Sequence, residues 1–482
     1  MLILQLFSIF FYKRRILSSW EVVYITSYDR FTDELTRLLN VGESFDVVKR
    51  RISLNDGRNC GLFYVSGFID NATMERVLEY FIEYKDTEML KERVAFGEVS
   101  EASNAKDAVN MILSGGTAFV IEGLDKIIVI FCRRYPNRGI EEPQNEKVLK
   151  GPRDGFGESM INNTVLLRRR IRDPKLTFKL VSCGKRTASD IAVCYIDDLV
   201  DKRFLSKILE RLNKIDVEAI SFGEQSIAEQ LIRRKWYNPF PKVRFTERPD
   251  SAAAMLLEGS VIIISDNTPE VMILPTSIFD FLQEADDFYL PPLTSSYFRI
   301  IRLLIVSLTL ILLPLWYLLI TNPGFIPPWL EFIKLKEPGT VPVIAQIFII
   351  EFIIDGLKIA SLNTPQVLGN SFSVIAGLIL GEMAVDIGWF VPEVILYLAI
   401  ITIANFTQSS YELAYALKFM RLIMLVLTAV FNIWGFLAGL LLVFLLIVSN
   451  KSVGGGRSYL YPLIPWNTKS VIRFLFRVRL KK

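Results

Sequence analysis

Histidine is absent from all 482 residues. Without imidazole there is no Ser-His-Asp or Cys-His catalysis and no His-ligated zinc site. Cysteine is scarce, and Cys60, Cys132, Cys183 and Cys194 fall with no CxxC or other ligand spacing, which leaves no thiolate cage or redox pair. Four isolated thiols suit small core hydrophobes in a reducing compartment, and a cytoplasmic soluble region is expected. Phosphate loops are missing too: GRN at 57–59 and GPRDGFGES at 151–159 are glycine turns, not a GxGxxG or GxxxxGK[ST] loop between strand and helix. Carboxylates remain, but no nucleophile, metal cluster or cofactor loop accompanies them, so neither an enzyme nor a cofactor is expected. The opening MLILQLFSIFFYKRR has no basic stretch before its apolar run and no small-residue cleavage site after it. It is also short for a bilayer, and is not counted as a span.

What is present divides in two. Residues 301–482 carry 14 Lys+Arg and 8 Asp+Glu, against 41 and 43 in the residues before them. The first part is charge-dense and near neutral, whereas the second is charge-poor and basic. Its positive charge gathers in the tail after Lys451, ending RFLFRVRLKK. Directly beyond an apolar run, such a cluster reads as cytoplasmic anchoring at a lipid membrane and not as nucleic-acid binding.

Within the first part a pattern repeats. DAVNMILSGGTAFVIEGLDKIIVI at 107–130 and DSAAAMLLEGSVIIISDNTPEVMIL at 250–274 match at an offset of 143, pairing Asp107 with Asp250, Leu113 with Leu256, Gly116 with Gly259 and Ile121 with Ile264. Each copy reads as helix, strand, hairpin turn, strand. Between them IAVCYID at 191–197 reads as a strand, and Leu205, Ile208, Leu212 and Ile215 share one helical face. Ser221 and Glu224 have capping-box spacing ahead of Ile227, Ala228, Leu231 and Ile232. The expectation is two related α/β lobes, 1–150 and 151–292. Arg168, Arg169, Arg170 and Arg172 form a basic run suited to an interface with a partner subunit or with phospholipid.

The second part reads as an α-helical multi-pass transmembrane domain, 293–450, of four to six membrane segments, followed by a basic cytoplasmic tail, 451–482. Four crossings fall near 303–320, 341–360, 385–404 and 424–448, with both termini on the cytoplasmic side. Trp316 and Tyr317 are placed to anchor the far end of the first. The last reads as one tilted or kinked span with its bend at Asn432 and Gly435, since its 28 or so apolar residues are too few for two spans and a loop. Two acidic pairs, Glu351 with Asp355 and Glu382 with Asp386, stand four apart in otherwise apolar segments. Carboxylates there replace lost ion hydration or join helices, and they are the candidate ion path. Few crossings favour a pore shared between copies, hence a homo-oligomer.

Long ordered stretches then carry a resemblance. GPRDGFGESMINNTVLLRRRIRDPKL at 151–176, GKRTASDIAVCYIDD at 184–198, SDNTPEVMILPTSIFDFLQEADDFY at 265–289, LNTPQVLGNSFSVIAGLILGEMAVDIGWF at 362–390 and YLYPLIPW at 459–466 closely resemble the A-subunit family of bacterial spore germination receptors. The resemblance implies a multi-pass protein of the spore inner membrane with a two-lobed cytoplasmic N-terminal domain. It also implies a transporter-like B subunit and a lipoprotein C subunit as partners, and an oligomeric germinant-gated cation channel. A non-conducting signalling scaffold and a secondary transporter are the competing readings. Members of the family commonly carry a longer polar lead, so an absent lead or an incomplete first lobe is expected here.

Overall fold

The computed structural model describes residues 27–83, 98–135, 146, 148, 150–232, 235–337, 339–363, 384–450, 452–453 and 458–477. The apolar opening, residues 1–26, lies outside them. The chain forms two compact units: residues 1–139 with 161–180 and 196–198, and residues 140–160 with 181–195 and 199–482.

The first unit is built on a five-stranded sheet of β1 (Val47–Ser53), β2 (Asn59–Val65), β3 (Glu98–Ala102), β4 (Thr117–Ile121) and β5 (Ile127–Phe131), in the order β1-β2-β4-β5-β3. Alternate residues of a strand face opposite sides, and both sides here are apolar. Phe63, Val65, Val120 and Val129 meet α1 (Ser27–Leu38) and α3 (Ala105–Leu113), while Cys60, Leu62, Phe119 and Ile128 lie with Met74 and Val77 of α2 (Asn71–Glu83). Asn104 starts α3 by accepting from the Asp107 N–H at 2.8 Å, satisfying one of the free amides of a helix's first turn. The helix α4 (Met160–Arg170) also belongs here from Ile161 onward, with Val165 packed so closely on Gly67 that no side chain fits there.

A second sheet repeats the order: β6 (Leu176–Cys183), β7 (Ser189–Ile196), β8 (Arg244–Thr246), β9 (Val261–Ser265) and β10 (Val271–Leu274) run β6-β7-β9-β10-β8. Its core joins Ile191, Val193, Val261 and Ile263 to α5 (Lys202–Asn213) and α6 (Gly223–Leu231). Leu205, Ile208 and Leu212 are buried on α5 as their spacing predicts, with Ile215 just past its end. The duplication is thus of a whole lobe, but its register is 144 and not 143. Ala105 corresponds to Pro249, where α7 (Pro249–Leu257) starts, and Thr117 to Val261 at the strand starts. The glycines that end the two helices at positive φ are Gly115 (+92°) and Gly259 (+87°). Matching Asp107 to Asp250 displaced the alignment by one, because the two stand at different positions in their helices' first turns. Ser221 forms no capping box; α6 begins after Phe222, whose N–H is taken by Ser226 Oγ.

Beyond this lobe the second unit is helical. Among the described residues two helices are long and apolar enough to cross a membrane, α8 (Pro292–Thr321) and α11 (Tyr411–Ser449). Between them lie α9 (Val343–Asn363) and α10 (Pro392–Phe406), and α12 (Thr468–Leu475) follows.

The helix α11 is not a kinked rod. At Asn432 the backbone takes φ 55° and ψ −132°, near the first central residue of a type II′ reversal. A Cβ on Gly435 would collide with the Leu427 carbonyl, and one on Gly439 would lie 2.5 Å from Met424 Cγ. In a continuous helix residues 424 and 439 are about 22 Å apart. The chain therefore doubles back, with arms 411–431 and 433–449 packed antiparallel through two glycines. At the tip Asn432 and Asn322, at the end of α8, exchange amide hydrogen bonds of 2.6 and 2.9 Å. Trp316 is no interfacial anchor: it is buried, donates to the Ile333 carbonyl at 3.1 Å and lies against Tyr397.

Candidate functional site: a charge cluster among apolar helices

Two helices bring ionised side chains together where their sequences are otherwise apolar, and a third adds a backbone carbonyl. Glu351 projects from α9 and is 6% exposed, while Lys418 and Arg421 come from the first arm of α11 at 4% and 0%. Arg421 Nη2 lies 2.5 Å from one Glu351 oxygen and Lys418 Nζ lies 2.8 Å from the other. Lys418 also reaches Asp355 at 2.6 Å, and Arg421 Nη1 donates to the Thr309 carbonyl of α8 at 3.0 Å. The four-residue spacing of Glu351 and Asp355 therefore has a concrete result, since one ammonium bridges both. Lys358, a turn further on, sits over the rings of Phe406 and Tyr415 at 5.1 and 5.4 Å.

Burying one ion in a medium of low polarity costs several kcal/mol after relaxation, about what an opposite charge in contact returns. The set is self-compensating, with Glu351 and Asp355 against Lys418 and Arg421. It is not fully satisfied: Arg421 Nε and Asp355 Oδ1 are buried without a hydrogen bond among the described residues. The Asp355 oxygen can take up a cation or water, and the Arg421 N–H another acceptor, without first breaking every contact.

Of the other sequence candidates, Glu382 lies outside the described residues. Asp386 is exposed in the short turn Ala384–Asp386, just before Gly388, whose carbonyl accepts from Thr340. That places it toward the start of α9 and away from Lys418. Sequence reading missed Lys418 and Arg421, which stand three residues apart just ahead of the last apolar run.

The arginine run divides. Arg168 is 1% exposed and binds both oxygens of Asp46, at 2.8 and 3.2 Å, together with the carbonyls of Leu176 and Asp173. It is an internal strut of the first unit. Arg169 and Arg172 are exposed, the former over the Tyr135 ring at 4.8 Å, and Arg170 is partly buried. In GPRDGFGES, Gly151 has φ +137° and abuts the Tyr289 ring. Tyr289 donates to Asp250 at 2.6 Å, and Arg248 pairs with the same carboxylate at 2.7 Å. Burial pulls the Asp250 carboxyl up, but these two donors outweigh it and hold it below the usual carboxylate range. The glycine loop is thus a structural joint. The cysteines are buried, and burial pushes the Cys60 thiol up to about 12.

The model of the Bacillus/Clostridium GerA spore germination proteins matches residues 34–482. The chain belongs to the GerA spore germination protein family. It is 35% identical over 447 residues to stage V sporulation protein AF of Bacillus subtilis, covering 91% of this chain and 90% of that one. With spore germination protein KA of the same organism the identity is 29%, covering 91% and 82%. Among solved structures, the N-terminal domain of the A subunit of the Bacillus megaterium spore germinant receptor GerK3 is 25% identical, covering 50% of this chain and 92% of that one, with a TM-score of 0.37. The GerA family is one of receptor subunits and not of enzymes, in keeping with the resemblance read from the motifs above.

Proposed function

We propose that this chain is the A subunit of a nutrient germinant receptor, a multi-pass protein of the spore inner membrane that oligomerises into a germinant-gated cation channel with a transporter-like B subunit and a lipoprotein C subunit. In this reading the two lobes and the basic tail are cytoplasmic, and residues 293–450 form the membrane domain. The observation that carries it is the buried set Glu351, Asp355, Lys418 and Arg421. Ionisable side chains among membrane helices are rare and mark ion or substrate pathways. Glu351 and Asp355 serve cations on the path, joined by Glu382 and Asp386. Lys418 and Arg421 occupy the first two in the closed state, and germinant binding draws those cations away. Arg169 and Arg172, the exposed members of their run, face a partner subunit.

The test is germinant-dependent potassium flux from liposomes holding the purified A, B and C complex. Asp355→Asn is expected to reduce the opened flux with the complex still assembled. Germinant-triggered signalling with no ion current would favour the non-conducting scaffold, and saturable solute counterflow a transporter. The higher identity to a protein named for stage V of sporulation than to a germination protein favours a second reading, in which the same channel acts without answering a nutrient itself. Spores lacking this chain would then respond to each nutrient with an unchanged threshold.

A further inference from the structure

The short helix α12 is held against the start of α8 from one side. Arg299 donates to the carbonyls of Arg473 and Phe474 at 2.7 and 3.3 Å, the Arg477 N–H donates to Ser296 at 3.1 Å, and the Phe474 ring meets Phe279. The opposite side is bare. On it lie Ile472 and, at the extended residue that caps the helix, Phe476, 48% and 49% exposed, and beside them a second row one turn apart, Lys469 and Arg473, both exposed. Trp466 is exposed just ahead of the helix.

An apolar row flanked by a basic row is the pattern of a helix lying at the headgroup boundary, its hydrocarbon facing acyl chains and its cations facing phosphates. A second feature lies at the same end of the apolar helices. Trp236, 96% exposed, precedes Asn238, which donates to the Leu446 carbonyl near the end of the second arm of α11. Indole rings at the ends of apolar helices sit at the membrane–water interface. We infer that Lys469, Ile472, Arg473 and Phe476, with Trp466 and Trp236, form a docking surface for the anionic phospholipid headgroups of the leaflet next to the second lobe. The inference rests on the reading that α8 and α11 cross a membrane. The occupant is lipid because the cations lie in a row along a hydrocarbon edge, where a leaflet presents acyl chain and phosphate side by side.

The full chain with Ile472→Cys, carrying an environment-sensitive dye, tests this in nanodiscs; the four native thiols are buried and spared. Brominated phosphatidylglycerol is expected to quench the dye better than brominated phosphatidylcholine, with aqueous iodide ineffective. Lys469→Gln with Arg473→Gln is expected to lower the relative binding constant for phosphatidylglycerol by up to about fivefold per charge removed. Iodide quenching, protection from both quenchers, or an unchanged preference in the double variant would overturn the docking surface. A dye at Leu308→Cys, on the exposed side of α8, is the control: if bromolipid fails there too, it is the membrane reading that has failed.

Discussion

Glu351→Gln should be among the costly single changes in the second unit. Its carboxylate touches Arg421 at 2.5 Å and Lys418 at 2.8 Å, and Arg421 has no exposed surface. Neutralising Glu351 leaves that guanidinium with the Thr309 carbonyl and no anion, a loss of about 3–5 kcal/mol, or roughly two to three and a half decades in the folding equilibrium. Lys418 suffers less because Asp355 remains at 2.6 Å. Removing both charges, as Glu351→Gln with Arg421→Met, leaves Lys418 and Asp355 balanced and should cost within about 2 kcal/mol of zero. Arg421→Met alone leaves Glu351 with Lys418 and should cost about 1–2 kcal/mol, so the coupling energy of the cycle is at least about 2 kcal/mol in size, far above the few tenths expected of sites that do not touch. Lys418→Met, which leaves Glu351 with Arg421 and Asp355 partly in water (35% exposed), should cost about 1–2 kcal/mol. Denaturant unfolding in detergent, followed by helical circular dichroism, measures the wild type and the four variants. A single-variant loss below about 1 kcal/mol, or a double variant no better than Glu351→Gln, would refute the pairing.

Other expectations are separate. Arg168→Ala strands the buried Asp46 and should destabilise the first unit by about 3–5 kcal/mol, whereas Arg169→Glu on the exposed face should spare stability and lower the abundance of assembled complex on immunoblots of spore membranes. Met424→Cys with Gly439→Cys should oxidise to an intramolecular disulfide, read as a mobility shift reversed by reductant, because the two Cβ positions lie 3.1 Å apart across the hairpin; a continuous helix forbids it. The depressed Asp250 carboxyl contributes stability that is present above the unfolded value of about 4 and is lost as pH falls through the lower folded value. Acid unfolding followed by tryptophan fluorescence should thus flatten in Asp250→Asn.

The lobes were legible because their signals are local. Period-two apolar strands, a three-and-four-spaced helix such as 205–212 and glycines ending helices each speak for their own few residues, and a duplicated lobe states them twice. The one-residue error of register arose because two aspartates agreed in type and not in place, while backbone conformation, carried by Gly115 and Gly259, decided the alignment. Trp316 misled for a related reason. Aromatic position along a helix suggests an interface, but which side of the helix it occupies depends on neighbours that sequence does not name, here Ile333 and Tyr397.

The hairpin and the charge cluster were hidden by one another. Hydropathy counts Glu412, Lys418 and Arg421 as full penalties, so the apolar run reads as starting at Leu422 and as too short for two passes. In the folded chain Lys418 and Arg421 are cancelled by Glu351 and Asp355 from another helix. The penalty is removed and the first arm extends back to Tyr411. Each arm is then about 25–31 Å long, close to the hydrocarbon thickness of a bilayer. The charges thus do two things that a single helix cannot reveal: they let the 411–431 arm lie among apolar neighbours, and they fix which side of it meets α8 and α9. Were the cluster to open, the arm would lose both its cancellation and its orientation, so separation of Lys418 and Arg421 from Glu351 must be coupled to movement of the hairpin as a whole.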